Sequence, residues 1–149
     1  MSVGEFCSRN VVVTDVTTDV QEAASLMRKF HVGDVVIIDD QNGLNVPIGI
    51  VTDRDLVLEV LAQDISPDNI TVCDVMSENI HSMQQNEDLF DALYLMAEKG
   101  IRRIPIINDE GGLEGILTLD DLLEVFAEKF SCLVKSLSKE QQVEKIQRN

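Results

Sequence analysis

Aromatic residues are scarce: 4% of the 149 residues, with one Tyr and no Trp. Stacking platforms for unpaired bases are therefore poorly provided for. Cations are short as well. Twelve Lys and Arg stand against 27 Asp and Glu, a net charge of −15, and nucleic-acid binding is dominated by basic side chains that neutralise phosphates. No nucleic-acid partner is expected. The deficit does not exclude one small anion in a local basic pocket, because fields are screened over about 10 Å at 0.1 M salt. Cysteine is limited to Cys7, Cys73 and Cys132, and histidine to His31 and His81, with no C-x-x-C. Neither a zinc site nor a disulfide framework is indicated, and no metal or cofactor is expected. No apolar run approaches the length of a membrane span. The opening Met1-Ser2-Val3-Gly4-Glu5 lacks the basic and apolar regions of a secretory leader. These absences predict a cytoplasmic protein with reduced thiols.

What the chain does have is a duplication. Gly49-Ile50-Val51-Thr52-Asp53-Arg54-Asp55 returns as Gly115-Ile116-Leu117-Thr118-Leu119-Asp120-Asp121. Upstream, Leu26-Met27 answers Leu95-Met96, and Val35–Asp40 answers Ile104–Asp109. The register differs by three residues between these blocks, and the difference falls in the loop Gln41–Ile48, longer than Glu110–Glu114. Insertions concentrate in loops. Each copy is too short to bury a good core alone, so the two are expected to pack together, with paired clefts along their seam.

Within each copy the order reads strand, helix, strand, strand, helix. Val11–Thr14 is β-branched and predicts a strand. Thr17-Thr18-Asp19 offers N-caps to a helix whose apolar positions Val20, Ala23, Ala24, Met27 and His31 recur at helical spacing, with Gly33 as its stop. Val35–Ile38 is a continuous apolar strand, Asp39–Gly43 a turn, Ile48–Val51 a strand, and Thr52 to about Ala62 a helix. In the second copy, Asn79–Met83 predicts a weaker strand. Asn86 caps a helix carrying Leu89, Ala92, Leu93 and Met96, Gly100 ends it, Ile104–Ile107 and Gly115–Leu117 are strands, and Asp120–Phe130 closes. Ser138-Lys139-Glu140-Gln141 reads as a capping box that restarts a polar helix. The remaining tail is expected to fray or serve assembly. The fold class is α/β (α+β-like): a first repeat at 3–65, a linker at 66–71, a second repeat at 72–130 and a C-terminal helical tail at 131–149.

The segment Gly-h-h-Thr-x-x-Asp has a plain structural reading. Thr52 with Asp55, and Thr118 with Asp121, are helix caps worth roughly 1 kcal/mol each. The context adds to it. The duplicated endings, the Leu-Met helices, Gly100-Ile101-Arg102-Arg103-Ile104-Pro105 and the openings Val3–Cys7 and Val72–Met76 together resemble tandem CBS domains (Bateman modules), over about Val3 to Phe130. The resemblance implies two βαββα repeats packed as a pseudo-twofold pair, usually a homodimer. It implies a regulatory, non-enzymatic module that senses an adenosine-containing ligand (AMP, ADP, ATP or S-adenosylmethionine) and acts on a separate effector protein. In that family the motif's Asp accepts ribose hydroxyls and its Thr helps, so Asp55 and Thr52 belong to one site and Asp121 and Thr118 to the other.

In that family the adenine commonly lies against the opening strand of the companion repeat. That nominates Cys7 and Val12 for the Asp121 site, and Met76 and His81 for the Asp55 site. The resemblance places the expected phosphate contacts on Arg102 and Arg103, with Arg54 as a further candidate. The residues of the first repeat aligned with that arginine pair are Gly33 and Asp34, so the Asp121 site is expected to be the better phosphate binder. The acidic pairs Asp39-Asp40 and Asp120-Asp121 read as turn and cap residues rather than catalytic carboxylates. The competing reading of the whole is a protein-interaction scaffold whose clefts are degenerate and whose Thr-Asp pairs only cap helices.

Overall fold

A computed structural model describes residues 1–148; Asn149, the last residue of the expected tail, lies outside the described residues. The elements are α1 (Val3–Phe6), β1 (Val13–Thr14), α2 (Val20–Phe30), β2 (Asp34–Gln41), β3 (Leu44–Thr52), α3 (Asp53–Leu56, continued by one π-helical turn Val57–Leu61), α4 (Val72–Val75), β4 (Met83–Gln84), α5 (Leu89–Lys99), β5 (Arg103–Ile107), β6 (Leu113–Thr118) and α6 (Leu119–Arg148). They form two three-stranded sheets, β1-β2-β3 and β4-β5-β6, each with a parallel first pair and an antiparallel hairpin. The helix-and-sheet class and the βαββα repeat order agree with the pattern of the sequence.

Local chemistry accounts for the elements and for several shifts from expectation. The cap of α2 is Asp19, whose carboxylate accepts from Glu22 N at 2.8 Å. Thr18 is buried instead and shares a hydrogen bond with the Thr14 hydroxyl. The helix ends earlier than Gly33: His31 itself takes the left-handed conformation (φ 54°) as C-cap, and its counterpart Gly100 does the same at φ 65°. In α5 the cap is Asp88, accepting from Phe90 N at 2.8 Å, in place of Asn86. Strands β1 and β4 are two residues each, because only there does the chain reach a neighbouring strand. In the first hairpin, Asn42 and Gly43 both have positive φ, as a tight primed turn requires. The expected break at Ser138 is absent. Its hydroxyl donates to Val134 O at 3.3 Å within one unbroken helix, and no Gly or Pro interrupts residues 119–148.

Two cores form, one per sheet, and the opening segments change sides between them. Val3 is fully buried in the second repeat's core with Met83, Leu89, Ile104 and Leu117, whereas Val72 is buried in the first repeat's core with Ala23, Val35 and Val51. Gly4 N donates to Gln85 O, and Ser8 pairs with Ile116 through Ser8 N to Ile116 O and Ile116 N to Ser8 O. Symmetrically, Val72 N donates to Thr18 O and Ser77 N to Ile50 O. Ser8 and Ser77 are repeat equivalents, as are Ile116 and Ile50. The exchange therefore ties the repeats together along a pseudo-twofold seam.

Candidate functional site

The crossing of each opening segment over the companion sheet explains the motif glycines. A Cβ on Gly115 would lie 2.7 Å from Cys7 Sγ and 2.7 Å from Ser8 O, and one on Gly49 would overlap Met76 Sδ. Glycine is needed for close backbone approach. Past the glycine, each strand runs into its Thr, and there the two motifs have nearly the same geometry. Thr118 N donates to Asp121 Oδ2 at 2.8 Å and Asp121 N to Thr118 Oγ1 at 3.2 Å. Thr52 N donates to Asp55 Oδ2 at 2.8 Å and Asp55 N to Thr52 Oγ1 at 3.2 Å. These are complete capping boxes. In each carboxylate one oxygen carries the cap, and Oδ1 accepts no protein hydrogen bond among the described residues. An ionised carboxylate has about four acceptor positions, so acceptor capacity remains for a ligand.

Two cavities open beside the motifs. The first, of about 260 Å³, is lined by Thr118 and Asp121 together with Val12, Gly33, Asp34, Arg102 and Arg103. The second, of about 590 Å³, is lined by Thr52 and Asp55 together with Arg54, His81, Ile101, Arg102 and Arg103. Small-molecule sites typically occupy ~300–1,000 Å³. Of the residues singled out in the sequence, Val12 thus stands with Asp121 and Thr118, and His81 and Arg54 with Asp55 and Thr52. Cys7 and Met76 are not brought into either cavity. Both are half-buried beneath the strands, packed on Gly115 and Gly49. Burial raises the Cys7 thiol above its ordinary pKa, with Arg9 only partly opposing it.

The arginines depart from the expected assignment. Because the repeats cross at the seam, the residues preceding β2 face the Asp121 cavity, and those preceding β5 face the Asp55 cavity. Gly33 and Asp34 therefore line the Asp121 cavity. Arg102 and Arg103 are long enough to border both. Arg103 Nε is held by Asp34 Oδ2 at 2.5 Å, whereas the Arg102 pair with Asp120 is 3.9 Å long and exposed. Burial raises the Asp34 carboxyl above its ordinary value, outweighing the Arg103 guanidinium beside it. The Asp121 cavity thus holds three acids (Asp34, Asp120, Asp121) against two arginines. The Asp55 cavity holds two acids (Asp53, Asp55) against three. Arg54 has no ion-pair partner among the described residues.

Polar residues not singled out in the sequence also line the cavities: Ser8 and Asn10 in one, Ser77 and Asn79 in the other. Each pair is related by the repeat offset, so alignment of the two copies was the signal available for finding them. Among the described residues, no group of three or more His, Cys, Asp or Glu side chains converges as a metal site. No helix is long and apolar enough to cross a membrane.

Comparison with known proteins agrees with this architecture. An uncharacterised protein of Methanopyrus kandleri is 40% identical over 125 residues, covering 84% of this chain and 62% of that protein. The chain thus spans less than two thirds of that relative. A crystal structure of an uncharacterised conserved protein from Pyrococcus horikoshii matches at 34% identity and TM-score 0.73, over 83% of this chain and 90% of the other. A CBS domain protein from Pyrobaculum aerophilum, complexed with AMP, matches at 25% identity and TM-score 0.73, over 82% and 90%. The CBS domain model matches twice, at residues 3–62 and 72–128. The chain belongs to the CBS domain family, as a tandem pair.

Proposed function

We propose that this CBS pair is a regulatory sensor of an adenosine nucleotide, with the phosphorylated ligand taken in the Asp55 cleft. One observation carries the reading: Arg54, with no ion-pair partner among the described residues, stands with Asp55 in a cavity of about 590 Å³ that the shared Arg102 and Arg103 also border. There Asp55 accepts the ribose hydroxyls, the arginines donate charge-assisted bonds to the phosphate, and Ile80 and His81 offer the wall for the base. The Asp121 cleft, smaller and with one acid in excess, takes a less anionic adenosine compound or none. This ranks the clefts in the order opposite to the sequence expectation. The AMP carried by the Pyrobaculum relative supports the ligand class.

The signal is conformational. A ligand shifts an equilibrium only by its differential affinity for the two states, and both clefts lie on the seam between the repeats. In this reading the protein is a cytoplasmic homodimer acting on a separate effector, and it turns over no substrate. The exposed apolar residues Phe30, Val57 and Leu61 of the first repeat and Phe90 and Tyr94 of the second are consistent with helix-mediated association.

A second reading rests on each Thr-Asp pair forming a complete capping box from protein groups alone: a protein-interaction scaffold in which the Thr-Asp pairs only cap. A thermal-shift panel of AMP, ADP, ATP, S-adenosylmethionine, NADH and adenosine separates the two. A ligand at about 100 times its dissociation constant stabilises by about 2.7 kcal/mol. The sensor reading expects a shift with a phosphorylated adenosine compound and a smaller one with adenosine. No shift with any of them leaves the scaffold.

A further inference from the structure

The two clefts are built from equivalent positions of the two repeats, yet their cations are replaced position by position. Where the Asp55 cleft has Arg54, Arg102 and Arg103, the Asp121 cleft has Asp120, Gly33 and Asp34. Two arginines become acids, and the third loses its side chain. The two acids are not placed alike. Asp120 is 80% exposed and meets Arg102 only at 3.9 Å. Asp34 is 14% exposed and holds Arg103 Nε at 2.5 Å.

Asp34 and Arg103 are themselves repeat equivalents, so their ion pair lies on the pseudo-twofold axis between the clefts. The guanidinium crosses Gly33: a Cβ built there would lie 3.1 Å from Arg103 Nη2 and 3.3 Å from Asp53 Oδ2. Gly33 lines the Asp121 cleft and Asp53 the Asp55 cleft, so Arg103 stands in the wall between them. A guanidinium has five N–H donors. The Nε contact to Asp34 occupies one, and Arg103 has no other ion-pair partner among the described residues. Its terminal amino groups can therefore meet a phosphate in the Asp55 cleft with the pair intact. In the Asp121 cleft the same guanidinium comes with the Asp34 carboxylate, and like charges so juxtaposed oppose binding.

From this replacement we propose that Asp34 is the specificity-determining residue of the Asp121 cleft: it bars phosphorylated ligands and reserves the cleft for an uncharged adenosine compound. The chain then reads two ligands of different charge, one in each cleft. The inference rests on the sensor reading of the Thr-Asp motifs.

The test is titration calorimetry of the full chain with AMP and with adenosine. Wild type is expected to take one AMP tightly and, once saturated with AMP, one adenosine. Asp34→Asn keeps the shape of the side chain and removes its charge, and a cooperative thermal melt verifies that it is folded. It is expected to take a second AMP at least roughly tenfold more tightly than wild type does, as relief of a like-charge contact should give. Adding Asp121→Ala is expected to abolish that gain. Asp34→Glu, which keeps the charge, is expected to behave as wild type. Adenosine titrated alone is expected to bind Asp34→Asn and wild type equally, which a general loosening of the seam would not produce. Two equal AMP sites in wild type, or no adenosine taken beside AMP, overturns the proposal. So does a second AMP site as weak in Asp34→Asn as in wild type, or a gain that survives Asp121→Ala. No AMP bound by any of these proteins refutes the sensor reading itself, so the two failures are told apart.

Discussion

Replacing Asp55 with alanine separates its two roles. Asp55 Oδ2 accepts from the partly buried Thr52 N at 2.8 Å, so the substitution removes a cap and costs roughly 1 kcal/mol of stability. For a chain of this length that lowers the unliganded Tm by about 3 °C. The same carboxylate is assigned to the ribose hydroxyls, and losing a hydrogen bond to a charged group costs about 1.5–3 kcal/mol, or roughly ten- to a hundredfold in affinity. At an AMP concentration about 100 times the wild-type dissociation constant, wild type gains about 2.7 kcal/mol. A variant tenfold weaker gains about 1.4, and one a hundredfold weaker about 0.4 kcal/mol. The assay is a thermal melt with and without AMP, checked by titration calorimetry. Asp121→Ala is the matched control, because its capping distances are the same to 0.1 Å. It is expected to lose the same unliganded stability but retain most of the AMP shift. A full AMP shift in Asp55→Ala would reduce that residue to a cap, and equal loss in both variants would refute the ranking of the clefts.

The motif glycines should also respond unequally. Gly115→Ala brings a methyl to 2.7 Å from the Ser8 backbone carbonyl, so paired strands must move, at about 1–3 kcal/mol. Gly49→Ala meets only the flexible Met76 side chain and should cost less; urea midpoints in the reverse order would contradict the packing argument. His31→Gly relieves a left-handed non-glycine residue and is expected to stabilise by roughly 0.5–1 kcal/mol, so a lower urea midpoint would be the failing result. Asp34 has a folded-state pKa above its unfolded value. The folded protein therefore holds its proton more tightly, and this residue's contribution to stability is present at acid pH and lost as pH rises through the raised value. Measured against Asp34→Asn, wild type should gain relative stability as pH falls toward the carboxylate range; a difference independent of pH would remove the burial argument.

Much of this protein was settled by local chemistry. The duplicated Gly-h-h-Thr-x-x-Asp segments set the repeat and its two capping boxes, and the 3–4 spacing of Val20, Ala23 and Met27 and of Leu89, Ala92 and Met96 set the buried helix faces. Gly100 was legible as a helix stop because glycine is the ordinary left-handed residue. His31 was not, because its conformation follows from the repeat position rather than from its own side chain. The choice of Asp19 and Asp88 over neighbouring caps lay within the usual uncertainty of helix ends. What required the tertiary structure was every relation across the seam. The exchange of the Val3 and Val72 segments put Cys7 and Met76 under the strands rather than in the clefts. The same crossing turned Asp34 toward Asp121 and gave Arg102 and Arg103 to both cavities. Periodicity and caps act over a few residues along one chain segment, so they are written in order in the sequence. Which cation faces which carboxylate depends on a twofold packing of two cores, and nothing in the linear order of residues specifies that crossing.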